Sequence, residues 1–196
     1  MFTGIIESVG EIKQISASGT NKIFWIASGI SGGLQIDQSV SHDGVCLTVE
    51  EINANTHRVT AIEETLKKTN LQNWKKGGAI NLERSMLMNG RLDGHIVQGH
   101  ADTTAVCTHK ENMEGSWEYQ FEISRKFSHL IIEKGSISLN GVSLTIFSVK
   151  KKSFKVAIIP YTFEHTNIKN VLPGDNVNIE FDLIGKYIAR FHSLKS

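Results

Sequence analysis

The stretch "SVSHDGVCLTV" (residues 39–49) is written a second time, nearly letter for letter, as "SISLNGVSLTI" (residues 136–146). The two copies are offset by 97 positions (136 − 39), and at that offset residues 39–83 align with 136–180 without a gap. Thr65 then meets Thr162, Thr69-Asn70 meets Thr166-Asn167, and Gly77, Asn81 and Glu83 meet Gly174, Asn178 and Glu180. Further upstream the offset becomes 95, where Gly4 meets Gly99. A long period present only twice indicates a duplicated domain, whereas solenoids need three or more short repeats. The seam is placed near "LMNGRLDG" (87–94), where Asn89-Gly90 and Asp93-Gly94 signal turns. The expected division is 1–88, 94–183 and a tail, 184–196.

Each half reads as short strands rich in β-branched and aromatic residues: "KIFWIAS", "RVTAIE" and "AINLE", then "EYQFEIS", "FKVAII" and "NVNIEF". Asp43-Gly44 and Asn140-Gly141 are dipeptides suited to two-residue hairpin turns, in which both residues take positive φ. Helix signals are sparse. "SRKFSHLIIEKG" sets Phe127, Leu130 and Ile131 on one face, with Ser124 as N-cap and Gly135 as stop. The tail "DLIGKYIARFHSL" carries an apolar stripe of Leu183, Ile184, Tyr187, Ile188, Phe191 and Leu194. The fold class expected is therefore mainly β: two tandem barrels and a C-terminal α-helix.

Alternation along the repeated strand puts Val45, Leu47 and Val49 on one face and Cys46 and Thr48 on the other; Val142, Leu144 and Ile146 oppose Ser143 and Thr145 likewise. The apolar line must face the core, so Cys46/Thr48 and Ser143/Thr145 point outward. A lone strand cysteine is more often a small apolar filler than a reactive group. Two matching outward pairs, each beside a Gly turn, instead suggest two similar ligand sites. "GHIVQGH" (94–100) gives no metal spacing, since His95 and His100 are five apart and face opposite sides of a regular strand. The chain also lacks the Lys-Ser/Thr of a phosphate loop and any dinucleotide fingerprint.

With a net charge of +1 there is no electrostatic pull toward nucleic acid or an anionic membrane. No apolar run approaches the roughly 20 residues of a membrane span. Two cysteines do not make a disulfide framework, and the first residues lack a signal-peptide pattern, so a reducing, cytoplasmic setting is expected.

The opening "MFTGII", the duplication, "DGVCLTV" paired with "NGVSLTI", and "GHIVQGHAD" together resemble riboflavin synthases of the trimeric type, over essentially the whole chain. The resemblance implies two six-stranded Greek-key barrels and a homotrimer. It implies transfer of a four-carbon unit between two molecules of 6,7-dimethyl-8-ribityllumazine, giving riboflavin and 5-amino-6-ribitylaminouracil. No cofactor and no metal are implied, and lumazine synthase is a candidate partner. One pocket would comprise Gly4, Ile5 and Ile6, Cys46, Leu47 and Thr48, and Thr60, Ala61, Ile62, Glu63, Glu64 and Thr65. The other would comprise Gly99, His100 and Ala101, Ser143, Leu144 and Thr145, and Ala157, Ile158, Ile159, Pro160, Tyr161 and Thr162, with Lys134 reaching in. His100, Ser143, Cys46 and Asp182 are the catalytic residues the resemblance suggests. Asp43 stands where the family commonly has Asn, a change read as neutral for the turn. The rival readings are a lumazine- or flavin-binding antenna protein on the same fold, and a flavin-dependent reductase barrel, which would need a nicotinamide-binding α/β domain not visible here.

Overall fold

The computed structural model describes residues 1–194; Lys195 and Ser196, the last two residues of the expected tail segment, lie outside the described residues. The first half supplies β1 (Ser8–Ser18), β2 (Asn21–Ala27), β3 (Ser39–His42), β4 (Val45–Thr48), β5 (Glu51–Asn53), β6 (Thr56–Ala61) and β7 (Ala79–Arg84). The second supplies β8 (Thr103–Asn112), β9 (Trp117–Glu122), β10 (Ser136–Leu139), β11 (Val142–Phe147), β12 (Ser153–Ile158) and β13 (Asn176–Phe181). The second half is a closed six-stranded barrel in the order β10-β11-β12-β9-β8-β13. The first is a sheet in the order β4-β3-β7-β1-β2-β6-β5, and its two edges are successive pieces of one chain segment. Residues 49–50 interrupt that segment, yet Glu50 N still donates to Arg58 O at 2.9 Å, so β6 is met across the break. In β11 the same segment runs unbroken, with Ile146 opposite Val156.

Both hairpins turn as their dipeptides dictate. Asp43 and Gly44 have φ of 47° and 77°, Asn140 and Gly141 of 44° and 80°, the twist that matches two right-handed strands. The two turns meet tip to tip: a Cβ on Gly44 would lie 2.7 Å from Gly141 N, so only glycine fits. Each barrel has its own core. Phe24, Ile26, Val40, Leu47, Val59 and Leu82 pack in the first; Tyr119, Phe121, Ile137, Leu144, Phe154 and Ile179 pack in the second. Val45, Leu47, Val142 and Leu144 are buried, whereas Cys46 and Ser143 are half-buried and Thr48 and Thr145 exposed, as strand alternation requires.

Two helices escape the sequence reading: α1 (Glu63–Lys68) and α2 (Pro160–His165). At six residues they are too short to display a helical period. The segment expected as a helix at 124–135 is a 3-10 helix over Arg125–Leu130, and Ser124 makes no side-chain cap. Extended backbone at Ile131 ends it, in keeping with two adjacent β-branched residues. The tail forms α3 (Leu183–Ser193), capped by Asp182, whose carboxylate accepts from Ile184 N at 2.8 Å. Its stripe is uncovered: Ile184, Tyr187, Ile188, Phe191 and Leu194 are all exposed.

Candidate functional site

The outward residues of the repeated strands do not stand alone; each is covered by a strap from the chain preceding a barrel. Strap residues 2–6 and 97–101 cross between the halves. Phe2 and Val97 exchange backbone hydrogen bonds of 2.7 and 3.0 Å, tying the straps together at their crossing point. Gly4 O accepts from Ser143 N at 2.8 Å, and Gly99 O accepts from Cys46 N at 2.7 Å. Ile6 packs on the core of the second barrel and Ala101 on that of the first. The strap that precedes each barrel therefore serves the other barrel's reactive strand.

Two buried carboxylates hold the straps at their other edge. Glu83 accepts from Thr3 N at 2.6 Å, Thr3 Oγ1 at 2.7 Å and Gly4 N at 3.0 Å. Glu180 accepts from Gln98 N at 2.7 Å and from Gly99 N and His100 N, both at 2.8 Å. Burial pushes the Glu83 carboxyl above the usual carboxylate range, against the pull of the Thr3 and Gly4 donors. Glycine is required in both straps. Gly4 and Gly99 have φ of 78° and 79°, and a Cβ on either would lie within 2.7 Å of Ser143 Cβ or Cys46 Cβ. Sequence comparison of the halves aligned Glu83 with Glu180 without revealing their task. The signal is an acidic residue at the same place near the end of a strand in both copies, "AINLE" and "NVNIE".

The crossing fixes which expected residues meet. Cys46, Glu64, Thr65, Gly99, His100 and Ala101 line one cavity of about 230 Å³, together with Val45, Lys68 and Thr69. On the other side Gly4 meets Ser143, with Ile5 exposed beside it. Within one chain, then, Gly4 and Ile5 lie with Ser143, and Gly99 and His100 with Cys46, the reverse of the grouping that residue order suggests. Leu47, Ala61, Leu144 and Ile158 turn their side chains into the barrel cores, leaving only backbone for a ligand. Thr60 is half-buried and donates to Glu50 at 2.9 Å; Thr162 is half-buried, and its carbonyl accepts from Thr166 Oγ1. Ile62, Glu63, Ala157, Ile159, Pro160 and Tyr161 form exposed rims at the starts of α1 and α2, with Glu63 paired to Lys67 and Tyr161 stacked on His165 at 4.1 Å. Lys134 is exposed, with its ammonium 6.0 Å from the Phe147 ring.

The reactive groups differ between the two sides. Ser143 Oγ lies 2.7 Å from His95 Nδ1, and His95 is buried, with the Asp182 charge acting on it. Among the described residues no cluster of His, Cys, Asp and Glu could hold a metal ion.

Between the barrels lies a second polar structure obeying the same pseudo-twofold. Asn81 N donates to Asp43 Oδ1 at 2.7 Å, and Asn167 Nδ2 donates to the same oxygen at 2.8 Å. In the other copy Asn178 N donates to Asn140 Oδ1 at 2.8 Å, and Asn178 Nδ2 to Asp43 O at 2.9 Å. Asn70 N reaches Asn178 Oδ1 at 2.7 Å, mirroring Asn167 N on Asn81 Oδ1. These amides weld the barrels into one body, so the straps keep a fixed aim.

A model of the lumazine binding domain matches the chain twice, over residues 3–85 and 98–182. The chain is 41% identical to a riboflavin synthase of Actinobacillus pleuropneumoniae and 38% to that of Bacillus subtilis (strain 168), each over 97% of this chain and 89% of the relative. A riboflavin synthase of Saccharomyces cerevisiae is 34% identical, covering 97% of this chain and 85% of its own. Among solved structures, LumP complexed with riboflavin superposes with a TM-score of 0.86 at 22% identity, over 92% of this chain and 99% of that one. LumP complexed with 6,7-dimethyl-8-(1'-D-ribityl) lumazine gives 0.84 at 21%. At such identity these structures speak to the fold alone.

Proposed function

The chain belongs to the riboflavin synthase family, and from that premise we propose how its two unlike pockets divide the work. It is an enzyme of the transferase type that converts two molecules of 6,7-dimethyl-8-ribityllumazine into riboflavin and 5-amino-6-ribitylaminouracil by moving a four-carbon unit from one to the other. One lumazine lies against Cys46, Thr48 and Thr65 under the Gly99–Ala101 strap. Its partner lies against Ser143, Thr145 and Thr162 under the Gly4–Ile6 strap, with Lys134 and Asp182 at its margin. The observation that carries this reading is the crossed pair of straps: it builds two pockets of the same backbone geometry and different chemistry, as a reaction between two identical molecules in unequal roles requires.

Cys46 and Ser143 stand on the outward faces of their barrels, and the reacting pair is completed by a neighbouring subunit. The uncovered stripe of α3 supplies the contact that assembles the homotrimer. Closing one subunit's Cys46 pocket over another's Ser143 pocket holds the two rings in reacting geometry and excludes water from carbanion-like intermediates. His100 lines the Cys46 pocket, where its imidazole assists addition of the nucleophile to the bound ring. No helix is long and apolar enough to cross a membrane among the described residues, in keeping with work in the cytoplasm, where lumazine synthase is a candidate supplier of substrate.

The test is turnover. Lumazine mixed with the protein should give riboflavin absorbance at one riboflavin per two lumazines consumed. Tight lumazine binding with no riboflavin formed would establish the antenna-like reading instead. A chain ending at Asp182 should sediment as a monomer and lose most activity; unchanged sedimentation would overturn the role of α3.

A further inference from the structure

His95 lies just ahead of the stretch that aligns between the two straps at the offset of 95. It gives the Ser143 side a buried imidazole, whereas the imidazole lining the Cys46 cavity, His100, is exposed. His95 is buried, its backbone N donates to Thr3 O at 3.0 Å, and its Nδ1 lies 2.7 Å from Ser143 Oγ. The residue before it leaves no room for error: a Cβ on Gly94 would collide with Thr3 O and lie 2.9 Å from Ser143 Cβ. Three chain segments thus fix the ring onto the serine.

We propose that His95 is the positioning residue and proton acceptor for Ser143, which makes the second pocket, and not the first, the one where a proton leaves carbon. The proposal rests on the lumazine reading above. In the step, the C–H bond of the acidic ring methyl breaks as its proton passes to Ser143 Oγ, and the hydroxyl's own proton passes to His95 Nδ1. One C–H bond is lost, one N–H bond is gained, and the serine is left as it began. The electron pair stays on the lumazine, delocalised into its ring. Burial holds the imidazole below its ordinary pKa, so it rests neutral and free to accept; the Asp182 charge opposes that shift and is the charged group that faces the imidazolium once formed. Cys46 has Gly99 and His100 beside it but no buried imidazole at the matching place, so its pocket is left to bind the partner ring and receive the carbon unit.

The experiment compares wild type, His95→Asn, Ser143→Ala and the double variant in lumazine turnover across pH, with lumazine affinity followed by fluorescence. Asn keeps a hydrogen-bonding atom near the position of Nδ1 but cannot take a proton. The expected result is a fall in kcat of about 100-fold or more with KM within about threefold, and loss of the acidic limb of the wild-type profile. The double variant should be no slower than the slower single variant, because the two groups act as a unit. Wild-type kcat and an unchanged acidic limb in His95→Asn, or losses that multiply in the double variant, would overturn the proposal. Independently of any variant's folding, nitrogen NMR of the wild-type protein with bound product should find His95 protonated on Nε2 and bare on Nδ1; a proton resident on Nδ1 overturns the proposal too. If wild type itself makes no riboflavin, it is the functional reading that fails, and the NMR result still decides the hydrogen bond.

Discussion

The two barrels share a backbone and differ inside. In the first, His42 Nε2 lies 2.8 Å from His57 Nε2, and His57 Nδ1 lies 2.8 Å from Ser31 Oγ, all fully buried. The matching positions of the second barrel are Leu139 and Phe154, both in an apolar core. At the hairpin tip the first barrel has Asp43 and the second Asn140. What has stayed constant is the apparatus that aims the straps: Glu83 with Glu180, Asn81 with Asn178, Asn70 with Asn167. Duplication has preserved the geometry of the two halves and left the first barrel with buried histidines and a buried aspartate where the second has Leu139, Phe154 and Asn140.

Those groups give opposite slopes. Burial, aided by the neighbouring His57, lowers His42 to about 3, and burial lowers His57 to about 4, both from 6.5. A histidine whose folded pKa is depressed contributes stability above about 6.5 that is lost as pH falls toward those values, because the unfolded chain binds the extra protons. Asp43 behaves inversely. Burial raises it from 3.8 to about 7, against the pull of Asn81 N and Asn167 Nδ2. Its cost is absent below about 3.8 and complete above about 7, since there the unfolded chain releases a proton that the folded one gives up only at a penalty. The first barrel should thus weaken on both sides of mild acidity, while the second has no such groups at these places.

The comparison can be broken most forcefully at the shared apparatus. Glu180→Ala leaves three strap N–H groups without their acceptor and should cost about 3 to 5 kcal/mol by denaturant unfolding, with turnover down at least about 100-fold; Glu83→Ala should match it if the pseudo-twofold is energetically real. A smaller change comes from Asp43→Asn, which copies the second barrel. It should gain roughly 2 to 4 kcal/mol at about pH 8 and nothing near pH 4, read as the difference in melting temperature at the two pH values. The double variant His42→Leu/His57→Phe copies the second core. Its acid-unfolding midpoint should fall by about one pH unit with little change at neutrality. The gentlest test is Cys46→Ser, which gives both pockets a hydroxyl and should keep turnover within about tenfold; a larger loss would mean the thiol has chemistry of its own.

Much of this was legible from the chain. The positive-φ turns at Asp43-Gly44 and Asn140-Gly141, the outward aim of Cys46 and Ser143, and the stripe of α3 follow from local rules of backbone and alternation. The crossing of the straps did not, because an alignment of repeats says which residues correspond and not which barrel each one docks on. Asp43 shows a related limit. As a turn residue it is interchangeable with Asn, but only the packed structure reveals that the turn tip is buried between the barrels, where one ionisable oxygen changes the pH response. His95 has no metal-ligand spacing in the sequence; its value lies in a contact 48 positions away along the chain.

The meeting of Gly44 and Gly141 has a consequence for how such a duplicated gene can drift. Any substitution there adds an atom at a place where two backbones already touch, and prying them apart would strain the amide weld around them in one stroke. Neither copy can absorb that insult alone, so innovation is channelled to the flanks. His42 and Asp43 are where the two copies part; the glycines are where they do not.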